Sequence, residues 1–546
     1  MIGLSENTMT VARAMVECLK AEGVRHVFGY PGAAICPFYD ELISSGIEHI
    51  LVRHEVNGGH AASGYARMTG KAGVCIATSG PGALNLITSI ATAYMDSIPI
   101  VAITGQVNSD QIGRDVFQEA DITGSAEPFV KHSYIVKDPD TICDVIKKAF
   151  YIAETGRPGP VLIDVPMDVQ LMETEFLYPD KVEIRSYKPT TEGNKLQIKR
   201  VADAIDKASR PLICAGGGVF LSGAKKELAE LVHKCDIPVI NTMMGLSNID
   251  MNDKLYFGMM GMHGVKAANY AVSRCDLLIL LGARMGDRAV VALEKTSGIV
   301  IIHIDIDPAE IGKNVDVNTP VVGDIKKILT QLIAIMPEMQ HTEWCEELAA
   351  VRAEKCELPK TVKGTVCPKP FIEELNRQIP EDCVIVADVG QNQIWTANNI
   401  CLTDKGRFMT AGGMGTMGYS LPAAIGAKKA FPERTVIALC GDGSLQMDFM
   451  ELATAVQHGI NVKIIVFVNS TLGMVKELQD DLYDNRETAV DLTGSPKFDI
   501  IAQAYGIDAE NVTDISQAKK AIADMLDSEK PYLLQVIVDK DERTII

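Results

Sequence analysis

The residues from 441 to 473 have the types and spacing of a site for a metal ion and a diphosphate. An apolar run ends in the letters GDGS at 441–444, a helix-sized stretch follows, and the next apolar run ends at Asn469. Glycines let a backbone approach a ligand closely, and free amides at a helix start bind phosphate groups. The oxygens of Asp442 and Asn469 suit Mg²⁺ that also binds phosphate oxygens. The structural alternative is a helix cap at Asp442 and a turn at Asn469.

A second stretch, residues 53–85, places an acid beside small residues. Glu55 follows an apolar segment and precedes a Gly- and Ala-rich helix, so a flat ring can approach its carboxyl group. A carboxyl group whose pKa is tuned by burial can take part in general acid–base chemistry. The alternative is a surface acid paired with Arg53 or His54, which is the usual fate of a single Glu.

Both stretches require a framework of buried parallel strands. Apolar runs of strand length, with helix-sized segments between them, recur at 74–80, 98–105, 160–166, 211–218, 276–284, 299–307, 383–390, 435–443, 462–470 and 532–539. This alternation is typical of α/β units, in which ligands bind beyond the carboxyl ends of the strands. The sequence therefore predicts doubly wound α/β domains with mainly parallel sheets.

Two segments divide the chain. Residues 174–195 carry charge, proline and turn formers without clear periodicity, and residues 336–370 end in a segment whose prolines block helix continuation. The length of 546 residues also suits about three domains of roughly 150 residues each. We predict domains at 1–185, 186–350 and 351–546.

The composition is that of a folded protein, with 47% hydrophobic and 23% charged residues. A formal net charge of −19 disfavours nucleic-acid binding. Uninterrupted apolar stretches stay well below the roughly 18 residues of a membrane span, and the first residues predict a capped amphipathic helix instead of a signal peptide. The 13 cysteines form no CxxC pair and mostly fall in apolar runs, which favours a reducing, cytoplasmic location.

The GDG…N signature resembles that of thiamine-diphosphate enzymes, and further motifs resemble acetolactate synthase catalytic subunits. These motifs run in order along most of the chain and include YPGAAICPFYDEL (30–42), DVFQEADITG (115–124), RPGPVLIDVPMDV (157–169), GARMGDR (282–288) and GGMGTMGYSLPAAIGA (412–427). The resemblance implies an aminopyrimidine-binding, a central and a diphosphate-binding domain. It also implies decarboxylation of pyruvate and ligation of the hydroxyethyl group to a second 2-oxoacid, which gives 2-acetolactate for branched-chain amino acid biosynthesis.

The resemblance assigns roles to single residues. Glu55 would bind N1′ of the aminopyrimidine, Gln118 would contact reacting groups, and Arg288 would bind the carboxylate of the second oxoacid. Mg²⁺ would be bound by Asp442, Asn469 and the carbonyl oxygen of Thr471. Thiamine diphosphate would be held by Gln391, Asn392, Gly415, Met417, Gly443 and Ser444. The alternatives are a surface ion pair of Arg288 with Asp287 and helix packing by Met417.

The resemblance also bears on whether the central domain binds FAD. Anabolic acetolactate synthases carry a structural FAD in the central domain, and catabolic relatives lack it. Matches to the flavin-contact segments occur at Gly216, Gly217, Gly218, Thr242, His263, Arg284, Asp305 and Asp324, whereas Gly286 replaces an acidic flavin-site residue. We expect FAD here in a supporting, non-redox role.

The chain departs from the family in the pocket for the second substrate. Met167 and Leu478 replace a Lys and a Trp, so another thiamine-diphosphate-dependent 2-oxoacid decarboxylase or carboligase is the alternative. The choice between pyruvate and 2-oxobutyrate as acceptor stays open. A flavin or nicotinamide oxidoreductase and a non-catalytic binding subunit are alternatives from other classes.

The resemblance further implies how the chain assembles. The family builds each active site from two subunits, which implies a homodimer or a dimer of dimers. We also expect a small regulatory subunit, 2-oxoacid substrates such as pyruvate, and no nucleic-acid or membrane partner.

Overall fold

Parallel β-sheets form the framework of the protein. The computed structural model describes residues 7–290, 298–354 and 362–544. Within them the chain forms three six-stranded sheets, one in each third, and one small two-stranded sheet. Every strand pair of the six-stranded sheets is parallel. The predicted α/β class with mainly parallel sheets is confirmed.

The first sheet has the strand order β3-β2-β4-β5-β7-β6, and β1 pairs with β8 in the small antiparallel sheet. The elements are β1 (Thr8–Thr10), α1 (Val11–Ala21), β2 (His26–Gly29), α2 (Cys36–Leu42), β3 (Glu48–Leu51), α3 (Glu55–Thr69), β4 (Gly73–Ala77), α4 (Pro81–Asn85), α5 (Ile87–Asp96), β5 (Ile100–Gln106), α6 (Ile122–Ala126), β6 (His132–Ile135), α7 (Ile142–Glu154), β7 (Pro160–Pro166), α8 (Met167–Leu171) and β8 (Glu173–Glu175). The Thr10 hydroxyl caps α1 by accepting from the N–H of Arg13 at 3.2 Å, as the sequence predicts.

The central sheet has the order β11-β10-β9-β12-β13-β14. Its elements are α9 (Lys195–Lys207), β9 (Pro211–Ala215), α10 (Gly218–Leu221), α11 (Lys225–Cys235), β10 (Val239–Asn241), β11 (Tyr256–Met259), α12 (Lys266–Arg274), β12 (Leu277–Leu281), α13 (Asp287–Val290), β13 (Val300–Asp305), β14 (Thr319–Val322), α14 (Ile325–Ile335) and α15 (Thr342–Arg352). The buried Trp344 anchors α15 to this sheet, because its indole N–H donates to the Pro211 carbonyl at 3.1 Å.

The third sheet has the order β16-β15-β17-β18-β20-β19. Its elements are α16 (Pro368–Asn376), β15 (Val384–Ala387), α17 (Gln391–Asn399), β16 (Arg407–Met409), α18 (Ser420–Ala430), β17 (Val436–Gly441), α19 (Asp442–Leu445), α20 (Leu452–Gln457), β18 (Lys463–Val468), α21 (Gly473–Leu482), α22 (Phe498–Ala504), β19 (Asp508–Val512), α23 (Ile515–Asp527) and β20 (Tyr532–Ile537). The predicted domain boundaries at 185 and 350 stay predictions. The second boundary falls inside α15, and residues 355–361 of the predicted second linker lie outside the described residues.

Helices α3 and α18 join the first domain to the third through one continuous apolar core. Both helices are rich in Gly and Ala at their contact, so the two backbones approach very closely. A Cβ atom on Gly64 would overlap the Ala423 carbonyl, and one on Gly426 would overlap the Ala61 carbonyl. The contact that joins the two domains therefore requires glycine at both positions.

Replacing Gly64 or Gly426 by alanine is expected to lower the free energy of unfolding by about 1–3 kcal/mol, because the overlap pushes the two helix backbones apart. Urea denaturation of the purified protein measures the effect. Gly494→Ala is the matched control, since a Cβ at this exposed glycine meets open space. Equal stability of the Gly64, Gly426 and control variants would contradict the close contact.

Candidate active site

Asp442 lies where β17 ends and α19 begins. Its side chain is only 2% exposed. Oδ1 accepts from the N–H of Gly443 at 2.9 Å, and Oδ2 accepts from the N–H of Ser470 at 2.7 Å. Burial raises the pKa of the Asp442 carboxyl to about 6. The carboxylate therefore ties the end of β17 to the loop that follows β18.

Asn469 lies directly after β18, the neighbour of β17 in the sheet. Its Nδ2 donates to Oε1 of Gln391 at 2.7 Å, and its Oδ1 accepts from the N–H of Thr471 at 3.2 Å. The Thr471 hydroxyl donates to the Val490 carbonyl at 3.0 Å. The structure thus brings the three residues predicted to bind Mg²⁺ to adjacent strand ends.

The donor set at these strand ends fits a hard cation. It combines one carboxylate, one amide oxygen and one backbone carbonyl, and such oxygen ligands bind Mg²⁺ together with water or phosphate oxygens. In the parts of the chain that the structure describes, no group of three or more His, Cys, Asp or Glu side chains could hold a metal ion.

The side chains predicted to hold the diphosphate are engaged with the protein itself. Gln391, the first residue of α17, donates through Nε2 to Oε1 of Glu477 at 2.5 Å and to the Glu542 carbonyl at 2.7 Å. Asn392 donates to the carbonyls of Asp388 and Leu439 at 2.8 and 3.2 Å. These contacts hold the ends of β15 and β17 in place.

The GDG turn is closed by its own residues and faces Met417. The Ser444 hydroxyl accepts from the N–H of Gly441 at 3.0 Å and donates to the carbonyl of the same residue at 3.1 Å. A Cβ on Gly443 would lie 3.4 Å from Cε of Met417. Gly415, two residues before Met417, is exposed and has a φ of 70°, which favours glycine.

Glu55 is the first residue of α3 and is half-buried. Its Oε2 accepts from Nδ2 of Asn85 at 2.9 Å. Arg53 turns elsewhere and donates to the Leu51 carbonyl at 2.9 Å and to Oε1 of Gln457 at 2.6 Å. Glu55 therefore makes a defined contact with the end of α4, instead of the surface ion pair with Arg53 that was the alternative.

Gln118 lies close to the same loop as Glu55. A Cβ on Gly80 would lie 2.8 Å from the Gln118 carbonyl oxygen, and a Cβ on Gly82 would lie 3.2 Å from Oε1 of Glu55. Gln118 has a φ of 59°, an uncommon conformation that costs about 1–3 kcal/mol and often marks a functional loop. The structure thus places Gln118 next to Gly80 and Glu55 next to Gly82, at the start of α4.

A cavity of about 950 Å³ lies at the ends of the central strands and extends to the third domain. Most of the residues predicted to contact FAD line it, namely Gly217, Gly218, Thr242, His263, Arg284, Asp305 and Asp324. Gly216 is buried beside it, where its carbonyl accepts from Nδ2 of Asn248 at 2.7 Å. Gly415, Arg288 and Leu478 also line this cavity.

The charged groups of this cavity are partly desolvated. Burial raises the pKa of the Asp305 carboxyl to about 6. Burial and the neighbouring Arg157 lower the pKa of the Arg284 guanidinium, and burial lowers that of the His263 imidazole. Asp324 caps α14, because its Oδ1 accepts from the N–H of Lys327 at 3.0 Å.

Arg288 lies at the exposed edge of the cavity. Its side chain is 63% exposed, and its Nε lies 3.5 Å from Oδ2 of Asp287. Its Nη1 contacts the Met262 sulfur at 3.2 Å. The surface pair with Asp287 that was the alternative is present, yet it is an exposed contact of little strength that an incoming carboxylate can replace.

Several residues that line the site were not predicted from the sequence. Glu477, Arg543 and Thr544 line the large cavity, and Arg157 links Ser97 to Glu310 at its rim through hydrogen bonds of 2.8 and 2.7 Å. Arg157 stands in the RPGP motif and could have been found there. Glu477, Arg543 and Thr544 belong to no motif, so only the fold shows that they line the cavity.

The three domains and the site define a thiamine pyrophosphate enzyme. Family models for the N-terminal thiamine pyrophosphate binding domain, the central domain and the C-terminal thiamine pyrophosphate binding domain of these enzymes match residues 9–125, 198–332 and 388–536. The cofactor class predicted from the GDG…N signature is confirmed.

Relatives with assigned names identify the family of this chain within the thiamine pyrophosphate enzymes. A probable acetolactate synthase large subunit of Methanocaldococcus jannaschii is 45% identical over 98% of this chain and 93% of its own length. An acetolactate synthase of Arthrospira platensis is 42% identical over 98% and 95%, and an acetolactate synthase large subunit of Haemophilus influenzae is 43% identical over 91% and 88%. The chain belongs to the acetolactate synthase large-subunit family. In the described parts of the chain, no helix is both long and apolar enough to cross a membrane.

Proposed function

We propose that the protein is an acetolactate synthase, which decarboxylates pyruvate on thiamine diphosphate and ligates the hydroxyethyl group to a second 2-oxoacid to give 2-acetolactate. The observation that carries this proposal is the convergence of Asp442, Asn469 and Thr471 at two adjacent strand ends, in a chain whose Glu55 is oriented by Asn85. The first three residues match the diphosphate end of thiamine diphosphate, and Glu55 matches its aminopyrimidine end.

The chain's own residues bind and orient the cofactor. Asp442, Asn469 and the Thr471 carbonyl would hold Mg²⁺, which would supply positive charge for the diphosphate. Thiamine diphosphate, when bound, supplies a nucleophilic carbon and an electron sink. Glu55 would exchange a proton with N1′ of the aminopyrimidine, and the hydrogen bond from Asn85 holds its carboxyl group in position.

The second subunit completes the site in this proposal. Near Glu55, contacts within the chain lead to Glu451, whose Oε1 accepts from the N–H of Arg53 at 2.8 Å and from Nδ2 of Asn57 at 2.9 Å. The family resemblance implies that a second copy of this chain supplies the diphosphate end of each site, in a homodimer or a dimer of dimers. Because the relatives are named large subunits, a small regulatory subunit is part of the proposal.

The cavity of about 950 Å³ supports FAD as a second bound group. Neither Gly217 nor Gly218 places a side chain in the cavity, and Gly218 packs so closely on Gly282 that a Cβ would lie 2.7 Å from Cα of Gly282. Asp305 and Asp324 provide acceptors for hydroxyl or amide donors of a nucleotide. FAD here has a supporting role, held by Gly217, Gly218, Thr242, His263, Arg284, Asp305 and Asp324.

The acceptor end of the site lies between Arg288 and Leu478. Both line the large cavity, and the planar guanidinium of Arg288 suits a carboxylate. The side chain of Leu478, which is 42% exposed, is smaller than the Trp of the family pattern, so the wall of the cavity is less bulky here. This observation favours the second candidate function, another thiamine-diphosphate-dependent 2-oxoacid decarboxylase or carboligase.

Product analysis separates the two candidates. After measurement of flavin released on denaturation, the full-length protein is supplied with thiamine diphosphate, Mg²⁺ and pyruvate, with or without 2-oxobutyrate. We expect 2-acetolactate from pyruvate alone and a second acetohydroxy acid when 2-oxobutyrate is added. Acetaldehyde without acetolactate would establish the decarboxylase instead.

A further inference from the structure

The side-chain amide of Gln391 is held on both sides by protein groups. Its Oε1 accepts from Nδ2 of Asn469 at 2.7 Å. Its Nε2 donates to Oε1 of Glu477 at 2.5 Å and to the backbone carbonyl of Glu542 at 2.7 Å. Gln391 is 5% exposed, so water does not replace these partners readily. One buried amide thus connects a predicted metal ligand to α21 and to the backbone at Glu542.

Glu477 lies at the centre of these contacts. Its Oε1 also accepts from the N–H of Thr544 at 2.8 Å, and its Oε2 accepts from the Thr544 hydroxyl at 2.6 Å. Around this contact, Arg543 pairs with Asp481 at 2.6 Å, and Lys476 forms an ion pair with Asp541. Residues 541–544 are therefore held against α21 on both sides of Glu477.

The chemistry of these partners decides how two amides are oriented. A carboxylate and a backbone carbonyl accept hydrogen bonds but cannot donate them. Glu477 and the Glu542 carbonyl therefore require the nitrogen of Gln391 to face them, which turns its oxygen towards Asn469. Asn469 must then direct its own nitrogen at Gln391. Its Oδ1 consequently faces the opposite side, where the N–H of Thr471 lies at 3.2 Å.

We infer that Glu477 is a positioning residue that acts through Gln391 to present Oδ1 of Asn469, and not its Nδ2, to Mg²⁺. The inference rests on the proposed function, since it concerns the metal ligand of that site. A glutamine at 477 would offer both a donor and an acceptor to Gln391, so the orientation of both amides would no longer be imposed. Groups that orient metal ligands in this way are commonly worth about 10–100-fold in metal affinity.

The test is the affinity of the full-length protein for Mg²⁺ at saturating thiamine diphosphate, measured by isothermal titration calorimetry. Glu477→Gln, which preserves size, is expected to raise the Kd for Mg²⁺ by about 10-fold. Glu487→Gln is the matched control, because it removes a nearby carboxylate that contacts Lys476 at 3.7 Å and has no hydrogen bond to Gln391. Its Kd is expected to equal that of the unchanged protein.

The dependence of the Mg²⁺ Kd on salt distinguishes an effect of Glu477 on amide orientation from direct attraction between its charge and Mg²⁺. The ratio of the two Kd values should persist between about 50 and 500 mM KCl if orientation causes it, because added salt screens exposed charges. A ratio that falls to one at high salt, an equal effect of Glu487→Gln, or an unchanged Kd for Glu477→Gln would each overturn the inference. In these cases the unchanged protein still binds Mg²⁺ and forms acetolactate. Failure of the unchanged protein to bind Mg²⁺ would overturn the proposed metal site as well.

Discussion

Replacement of Glu55 by glutamine is expected to slow exchange of the C2 proton of bound thiamine diphosphate by about 10²–10⁴-fold, the range for a positioned acid–base group. Glutamine retains an oxygen that accepts from Asn85, whose Nδ2 lies 2.9 Å from Oε2 of Glu55, so the local structure should persist. The amide cannot exchange a proton with N1′, so only this step is lost. The Glu55→Gln substitution therefore tests proton transfer independently of the binding of thiamine diphosphate.

Quenched-flow hydrogen–deuterium exchange followed by NMR measures this rate directly. The affinity for thiamine diphosphate should change little, because in the proposed site Asp442 and Asn469 hold the opposite end of the cofactor. Glu127→Gln is a suitable control, since this exposed acid lies in the same domain. Unchanged exchange in the Glu55 variant would refute the role of this residue.

Replacement of Asp442 by asparagine is expected to weaken metal-dependent binding of thiamine diphosphate by about 100-fold or more, beyond the roughly 10–100-fold effect of residues that only support a metal ligand. The change removes the carboxylate charge from the predicted Mg²⁺ ligands. It also removes one of two acceptors, and the N–H of Ser470, which lies 2.7 Å from Oδ2, would face an amide N–H group instead. The charge and the geometry of the site change together.

Titration with thiamine diphosphate, in the presence and absence of Mg²⁺, checks this prediction. The difference between the two titrations should disappear in the Asp442 variant. Asp491→Asn provides the same chemical change in the neighbouring loop, at an exposed carboxylate that accepts from the N–H of Thr493 at 2.7 Å. A Mg²⁺-dependent affinity that survives in the Asp442 variant would remove this residue from the metal site.

Most interior strands of the sheets were predictable from sequence, although the short interior strands β2 and β10 were missed, and the edge strands were not predictable. The apolar runs at 74–80, 98–105 and 160–166 correspond to β4, β5 and β7, which lie inside the first sheet. A strand covered on both faces carries a continuous apolar run. The edge strands β3, β6 and β19 are partly exposed and lack such a run, so no local pattern distinguishes them from loops.

The sequence by itself determined the α/β class, the cofactor family and the residues at the ends of β17 and β18. These follow from patterns within a short stretch of chain, namely apolar runs that end in glycine, acid or amide residues. Tertiary structure alone decided which of these groups meet, and in which orientation. Asn469 and Gln391 are separated by 78 positions, and Glu55 and Asn85 by 30. No spacing rule predicts such pairs, because hydrogen bonds between distant segments depend on how whole sheets and helices pack.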